Sequence, residues 1–184
     1  MIEEIITKED VNIAIKKLKN RKAAGCDDVV GEFIKHGGEN LETVVHNLFS
    51  EIFETGQIPE DWRLSRVELI HKGGGKEKAD IGNYRPISVI NIMNKIFGDI
   101  VNDKLQKWVE QERVLGEEQN GFRKGRSGLE NVYIMKELID RNMRNRKELY
   151  FGFLDIEKAY DSINRRKLTA LLQHIGLCEK KLSI

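Results

Sequence analysis

Cysteine and proline are both scarce in this sequence of 184 residues, with two of each. The two cysteines, Cys26 and Cys178, have no metal-ligand spacing and nothing suggests secretion, so we expect reduced thiols in a reducing compartment. The N-terminal segment MIEEIITKED is acidic where a signal peptide needs basic and then apolar residues. No apolar run approaches the length of a membrane span. These absences predict a soluble, intracellular protein without a membrane partner, and they do not distinguish nucleus from cytoplasm.

The chain also has little net charge, because 31 basic and 30 acidic residues leave +1. Any attraction to nucleic acid must therefore come from local patches. None of the four histidines stands at ligand spacing from another histidine or a cysteine, which argues against a zinc site. No serine has the Gly-x-Ser-x-Gly setting of a hydrolase nucleophile, and no GKS or GKT follows the glycine run at 73–75. Serine-hydrolase and P-loop chemistry are therefore not indicated.

Apolar periodicity predicts a mixed α/β or α+β protein that is mostly helical and has few strands. Helices are expected after a capping box at Thr7, in a short piece before Gly37, over residues 41–53, from near Ser88, over residues 129–139 and before Gly176. One strand is expected at residues 64–72, followed by a mobile, basic, glycine-rich hairpin tip. A second strand, at residues 150–154, is apolar enough to be buried on both faces.

The apolar run at 150–154 ends at Asp155, and Tyr160 and Asp161 follow at fixed offsets. A carboxylate at the end of a buried strand is held on a rigid element, where it can be aimed at a metal ion. An isolated aspartate at such a point can instead cap the following turn, and that alternative stays open. Asp161 lies six residues further on and need not face the same ligand, so a two-metal site requires another carboxylate from elsewhere.

Basic residues surround the predicted hairpin. They are Arg63 and Arg66 beside the first strand, Lys72, Lys76 and Lys78 around its glycine turn, and Arg85 in the NYRP segment. A glycine-rich turn with Lys and Arg can fold over a polyphosphate and neutralise the charge that develops in phosphoryl transfer. On this pattern alone, a solvated surface hairpin is the better explanation.

A second group of cations lies in the segment GFRKGRSG. Arg123, Lys124 and Arg126 are interspersed with glycines, and Phe122 stands beside them. Cations that contact the phosphate backbone next to an aromatic residue are a recurrent device for binding single-stranded nucleic acid. The equally weighted alternative is a glycine-rich loop whose phenylalanine anchors it to the core.

Four linked segments, taken in order, resemble the reverse transcriptases of non-LTR (LINE-type) retrotransposons. They are IPEDWRLSRVELIHKGG, NYRPISVINIMNKIF, QNGFRKGRSG and FLDIEKAYDSI. The upstream segment RKAAGCDD is similar to a Lys-x-x-Gly-x-Asp-Gly element of that family. The resemblance covers nearly the whole chain, and the shared order of several motifs makes it far more specific than any one of them.

The resemblance implies a right-hand polymerase, with fingers over residues 1–147 and the start of a truncated palm over residues 148–184. It implies RNA-directed DNA synthesis with an RNA template, a DNA primer, dNTP and two Mg²⁺ ions. We expect the remaining palm and the thumb to lie outside this chain. The family's aromatic-x-Asp-Asp hairpin, which carries the second metal-binding aspartate, is expected beyond residue 184. We therefore expect this chain alone not to polymerise DNA.

The resemblance also implies roles for individual residues. Asp155 is the catalytic aspartate and binds the metal ions together with the carbonyl of Ile156. Tyr160 closes the nucleotide pocket against a ribose 2′-hydroxyl, while Lys72 and Arg85 lie on the incoming triphosphate. Nucleic acid is expected to contact Gln119, Gly121, Phe122, Arg123, Lys124 and Arg126.

Two positions depart from the family pattern, since Asp28 stands where glycine is usual and Gly128 where threonine is common. The first substitution would stiffen a turn and the second would loosen a helix start. Two other functions stay open on the sequence. One is a non-catalytic retroelement remnant that binds RNA or a protein partner. The other is a maturase-like relative of group II introns, whose motifs fit less well.

Overall fold

The computed structural model of the chain describes residues 5–177, which form two compact units, residues 5–105 and residues 106–177. The elements are α1 (Lys8–Lys16), α2 (Gly31–Lys35), α3 (Gly38–Thr55), β1 (Ser65–His71), β2 (Tyr84–Ile90), α4 (Ile92–Gln111), α5 (Gly128–Arg144) and α6 (Arg165–His174). This confirms a mixed α and β chain with few strands; helix predominates over strand and makes up about half of the described residues. Within the described residues, no helix has the length and apolar composition needed to cross a bilayer.

Helix α1 begins at the predicted capping box. The Thr7 hydroxyl accepts a hydrogen bond from the Asp10 backbone N–H, and the Asp10 carboxylate accepts one from the Thr7 N–H. Asp10 therefore does the work of the more usual Glu or Gln, because its shorter side chain still reaches the free N–H. The same carboxylate also lies 3.1 Å from the ammonium of Lys104, whose side chain is only 3% exposed. The capping residue Asp10 therefore also pairs with the buried ammonium group of Lys104 in α4.

The first unit is built around a helical core. Most of its buried apolar residues come from α1, α2, α3 and α4, and the most enclosed are Val11, Val45, Phe49, Ile52 and Ile96. The ring of Phe49 meets those of Trp62 and Phe97 edge-on, at centroid distances of 6.1 and 5.4 Å. Truncation of such a side chain costs about 3–5 kcal/mol, because the cavity is only partly refilled. Packing in this core fixes the positions of the helices, and the strands β1 and β2 lie between α3 and α4 in the chain.

Strands β1 and β2 form an antiparallel hairpin, in a register that runs from Ser65 opposite Ile90 to His71 opposite Tyr84. The predicted first strand and its glycine-rich connection are confirmed. The predicted helix start near Ser88 is wrong, because residues 84–90 pair with β1 and α4 begins only at Ile92. Alternating β-branched residues in this stretch fit a ladder as well as a helix, and the available partner strand decides between them.

The strand predicted at residues 150–154 is absent from the second unit. The backbone there is irregular, Phe153 is 78% exposed and Leu154 is 100% exposed. A strand needs a neighbour for its N–H and C=O groups. Among the described residues, β1 and β2 pair only with each other, so this apolar run has no partner. Helix α5 forms as predicted, but its apolar stripe is also uncovered, with Leu129 75% and Val132 60% exposed.

Candidate nucleic-acid interface

The two cations predicted to bind a triphosphate lie on one face of the hairpin. Arg85 is paired with Ile70 in the ladder, and the backbone N–H of Lys72 continues the ladder by donating to the carbonyl of Asn83 at 2.8 Å. Because side chains alternate between the two faces of a strand, Lys72 projects from the same face as Ile70 and its partner Arg85. Both cations are exposed. The structure therefore brings together two residues that are 13 positions apart in sequence.

The hairpin tip is folded back on itself by hydrogen bonds to backbone groups. The Lys72 ammonium donates to the carbonyl of Gly82 at 2.7 Å, and the Tyr84 hydroxyl donates to the carbonyl of Lys78 at 3.0 Å. The N–H of Gly73 donates to Nδ1 of His71 at 3.2 Å. Gly73, Gly74 and Gly75 all have φ near +70°, between 70° and 75°, which glycine adopts without strain. The tip is thus exposed but internally bonded, which gives the two cations a defined support.

Asn91 joins the base of the hairpin to the upstream loop, and sequence reasoning missed it. It is 3% exposed, its Oδ1 accepts from the Cys26 N–H at 3.1 Å, and its Nδ2 donates to the Asp61 carbonyl at 3.2 Å. Its own carbonyl accepts the N–H of Lys95, so it also begins α4. A polar residue between the strand and the apolar stripe of α4 was the available signal. Such a residue often marks a helix start.

The upstream segment RKAAGCDD is held against the same base. A Cβ on Gly25 would lie 2.6 Å from the Asn91 Cα, so only glycine fits there. A guanidinium nitrogen of Arg66 in β1 donates to the carbonyl of Ala24 at 2.9 Å. Asp27 accepts the N–H of Val29, as expected for a turn residue. This segment therefore braces the strand pair that carries Lys72 and Arg85.

The loop between α4 and α5, residues 112–127, belongs to the second unit. Arg123 forks onto the Glu110 carboxylate with two hydrogen bonds of 2.8 Å, and it also donates to the carbonyls of Gly116 and Gln119 at 2.8 and 3.2 Å. Its side chain is 8% exposed. The hydrogen bonds from Arg123 hold the pKa of the Glu110 carboxyl below its ordinary value. The predicted phosphate-binding Arg123 is thus occupied by groups of the protein itself.

The other predicted residues of this loop differ in their surroundings. Arg126 pairs with Glu117 and lies 3.8 Å from Glu130, whereas Lys124 is exposed and makes no described ion pair. Phe122 is 89% exposed, so the alternative in which it anchors the loop to the core is wrong. Its φ of 61° is unusual for a bulky residue.

Gln119 and Gly121 lie on the approach to Phe122. The Gln119 side-chain amide donates to the carbonyl of Gly121 at 3.2 Å, which closes a small turn before the aromatic ring. The next residue, Asn120, is 5% exposed and its Nδ2 donates to the Oδ1 of Asn131 in α5. The loop is therefore fixed to α5 by Asn120 and to α4 by Arg123, and the predicted template residues cluster on it.

Asp155, Ile156 and Tyr160 lie on an exposed irregular stretch of the second unit, with Ile156 72% and Tyr160 77% exposed. Mg²⁺ takes carboxylate and carbonyl oxygens, and Asp155 with the Ile156 carbonyl offers that type of donor. Within residues 5–177, however, no three His, Cys, Asp or Glu side chains converge as a metal site would require. The described donor set does not by itself fit a two-metal site.

Comparison with known proteins identifies the same family as the sequence motifs do. Residues 70–183 match the family model of reverse transcriptase (RNA-dependent DNA polymerase). The chain is 26% identical over 155 residues to a probable RNA-directed DNA polymerase from transposon BS of Drosophila melanogaster, which covers 84% of this chain and 17% of that protein. It is 27% identical over 172 residues to the transposon TX1 149 kDa protein of Xenopus laevis, covering 94% of this chain and 13% of that protein.

A third relative is the RNA-directed DNA polymerase from mobile element jockey of Drosophila melanogaster, which is 26% identical over 158 residues. That match covers 86% of this chain and 17% of the relative, so the chain spans less than a fifth of the length of these three proteins. The family match covers more than half of the chain and includes the hairpin tip, β2, the α4–α5 loop and Asp155. Two of these three relatives are named as RNA-directed DNA polymerases of transposable elements, which confirms the resemblance that the motifs indicated. The chain therefore belongs to the reverse transcriptase (RNA-dependent DNA polymerase) family.

Proposed function

We propose that this chain supplies the fingers, over residues 1–147, and the start of the palm, over residues 148–184, of an RNA-directed DNA polymerase. The observation that carries the proposal is the shared hairpin face of Lys72 and Arg85. Two exposed cations on one face of a hairpin can bind a triphosphate and offset the charge that grows on its leaving group. Arg85 can bind two oxygens with its planar fork, whereas Lys72 acts as a point charge.

Asp155, Ile156 and Tyr160 complete the nucleotide side of the proposal. We assign Asp155 and the Ile156 carbonyl as part of a Mg²⁺ site whose further ligands come from outside residues 5–177. When bound, Mg²⁺ would neutralise phosphate charge and align the reacting oxygens. Tyr160, with its exposed ring, is assigned to the sugar of the incoming nucleotide, where an aromatic edge leaves no room for a 2′-hydroxyl. These roles rest on the match of this stretch to the family.

The α4–α5 loop is the proposed template contact. Gln119 and Gly121 shape its turn, Phe122 offers an exposed ring to a base, and Lys124 offers a charge to a phosphate. Stacking of a base on an aromatic side chain contributes about 1–3 kcal/mol and tolerates any sequence. That tolerance suits a template, which must be read whatever its bases.

Binding of dNTP to the 184-residue chain tests the nucleotide part of the proposal. We expect Lys72→Ala and Arg85→Ala each to weaken dATP binding about tenfold, since each removes one charge-assisted contact. Lys76→Ala, at the exposed tip of the same hairpin, is the matched control and should change the affinity little. Isothermal titration of each variant with dATP measures the effect. Equal losses in all three variants would show that only diffuse charge is involved and would overturn the assignment.

A further inference from the structure

Arg123 is the most completely bonded cation of the template loop. Four of its hydrogen bonds end on protein acceptors, two on the Glu110 carboxylate and two on the carbonyls of Gly116 and Gln119. An arginine has five N–H donors in a fixed plane, so one donor at most is left for a ligand. A phosphate could accept several hydrogen bonds from this guanidinium only if its bonds to Glu110 and to the loop carbonyls were broken. We call these four hydrogen bonds the Arg123 brace, because they hold the loop in one conformation.

Charge in this part of the chain supports the same interpretation. Between residues 110 and 130 the sequence has four basic residues and five acidic ones, which leaves −1. Arg126, like Arg123, lies against carboxylates, those of Glu117 and Glu130. The loop is therefore not a basic patch, and it cannot attract RNA mainly through a surplus of positive charge. RNA binding by the loop must therefore depend on the individual side chains that the loop exposes.

The loop presents a strained aromatic residue. Phe122 has a left-handed backbone, with φ 61°, and its ring is 89% exposed. A bulky residue keeps such a backbone only when its neighbours over-determine it. Here residues on both sides of Phe122 are fixed, Asn120 two positions before it by Asn131 and Arg123 directly after it by Glu110. The brace and the exposed ring are thus parts of one device.

We propose that Arg123 is a positioning residue, which holds Phe122 and Lys124 ready for single-stranded RNA through its fork on Glu110 and does not itself bind phosphate. This inference rests on the proposed template role of the loop. It separates the three cations of the GFRKGRSG segment into two kinds. Arg123 and Arg126 hold the loop in shape, and Lys124 carries the charge that faces the nucleic acid.

Glu110→Gln gives the sharpest test, because charge and shape predict opposite results. The substitution makes the loop more positive by one charge, so a phosphate-binding Arg123 would bind RNA as well or better. A brace would loosen, and RNA affinity would fall about tenfold with the loss of the charged fork. Glu118→Gln removes the same charge but breaks no described hydrogen bond of Arg123, and it serves as the matched control. Binding is measured by fluorescence anisotropy with a single-stranded RNA of mixed sequence.

The salt dependence of binding identifies the phosphate contact. Lys124→Ala should lower the slope of log K against log salt by about 0.7, the value for one phosphate contact on a single strand. Arg123→Lys keeps the charge but loses the fork, so the brace predicts weaker binding with an unchanged slope. An Arg123→Lys variant with wild-type affinity, or an Arg123→Ala variant with the slope of Lys124→Ala, would overturn the proposal.

Limited trypsin cleavage within residues 123–126 gives a readout that needs no RNA. The brace predicts about tenfold faster cleavage in Glu110→Gln than in Glu118→Gln, because the loop opens more often. Equal cleavage would sink the brace even if RNA binds. Failure of the wild-type chain to bind RNA, with faster cleavage in Glu110→Gln, would instead sink the proposed template role. Thermal unfolding confirms that each variant is folded at the temperature of the assay.

Discussion

Gly25 and Asn91 lie in direct backbone contact, at a separation that leaves no space for a side chain on residue 25. The contact joins the upstream loop to the residue that ends the hairpin and begins α4. The glycine of the RKAAGCDD segment is therefore required by packing. This contact and the hydrogen bond from Arg66 to Ala24 position the hairpin that carries Lys72 and Arg85.

Gly25→Ala should destabilise the chain by about 1–3 kcal/mol, because the added methyl group must displace the Asn91 backbone. Gly98→Ala is the matched control. Gly98 is exposed in the interior of α4 with open space around it, so alanine there should stabilise by about 0.5–1 kcal/mol. Urea unfolding followed by circular dichroism measures both. A neutral Gly25→Ala would mean that the contact does not hold in solution.

Asp28 has a left-handed backbone, with φ 55°. Aspartate tolerates this region better than most residues, but glycine adopts it without strain. Asp28→Gly should therefore stabilise the chain by up to about 1 kcal/mol, and Asp28→Ala should destabilise it. The midpoint of urea unfolding gives the order of the three proteins. Alanine as stable as glycine at this position would contradict the backbone assignment.

The free energy of unfolding of the first unit should depend on pH because of Asp10. Burial raises the pKa of its carboxyl, but the hydrogen bonds from Thr7 and the ammonium of Lys104 outweigh burial and hold the pKa below its ordinary value. A lowered folded-state pKa gives stability that is fully present above the unfolded pKa and is lost as pH falls through the folded one.

Asp10→Asn removes this dependence. We expect a loss of about 2 kcal/mol at pH 7, because asparagine lacks the charge that pairs with the Lys104 ammonium, and a smaller further loss below about pH 4 than in the wild type. Urea unfolding at a series of pH values measures both. Parallel pH profiles for the two proteins would rule out the Asp10 contribution.

Phe122→Gly should separate stability from binding. Glycine relieves the positive φ of this residue and should stabilise the second unit by about 1 kcal/mol, whereas RNA affinity should fall by about 1–3 kcal/mol with the lost stacking. Thermal unfolding and RNA anisotropy on the same samples give the two signs. Lower stability together with unchanged RNA binding would show that the ring belongs to the fold and not to the template contact.

Local features of this fold could be predicted from the sequence. The capping box at Thr7, the helix stop at Gly56, where φ is 72°, and the glycine-rich hairpin all depend on residues within a few positions of each other. Their chemistry is complete in the local sequence. Mixed α and β content followed from the same local patterns.

Features that depend on distant partners could not be predicted. The run at 150–154 has the composition of a buried strand, but composition does not supply the neighbouring strand that its backbone needs. Arg123 has the pattern of a phosphate contact, and the sequence does not show that Glu110, 13 residues earlier on another element, lies within hydrogen-bond distance of it. Asn91 bonds to partners 30 and 65 positions away. Each outcome was decided by tertiary placement.

Affinity labelling can show whether a dNTP triphosphate lies on the hairpin face of Lys72 and Arg85. An acyl phosphate of dATP, with the acyl group on the γ-phosphate, transfers that group to a nearby lysine amine and releases dATP. Peptide mapping by mass spectrometry should then find Lys72 acylated well above Lys76 and Lys78, and excess dATP should suppress the label. Equal labelling of the three lysines, without suppression by dATP, would show that the triphosphate does not bind on this face of the hairpin.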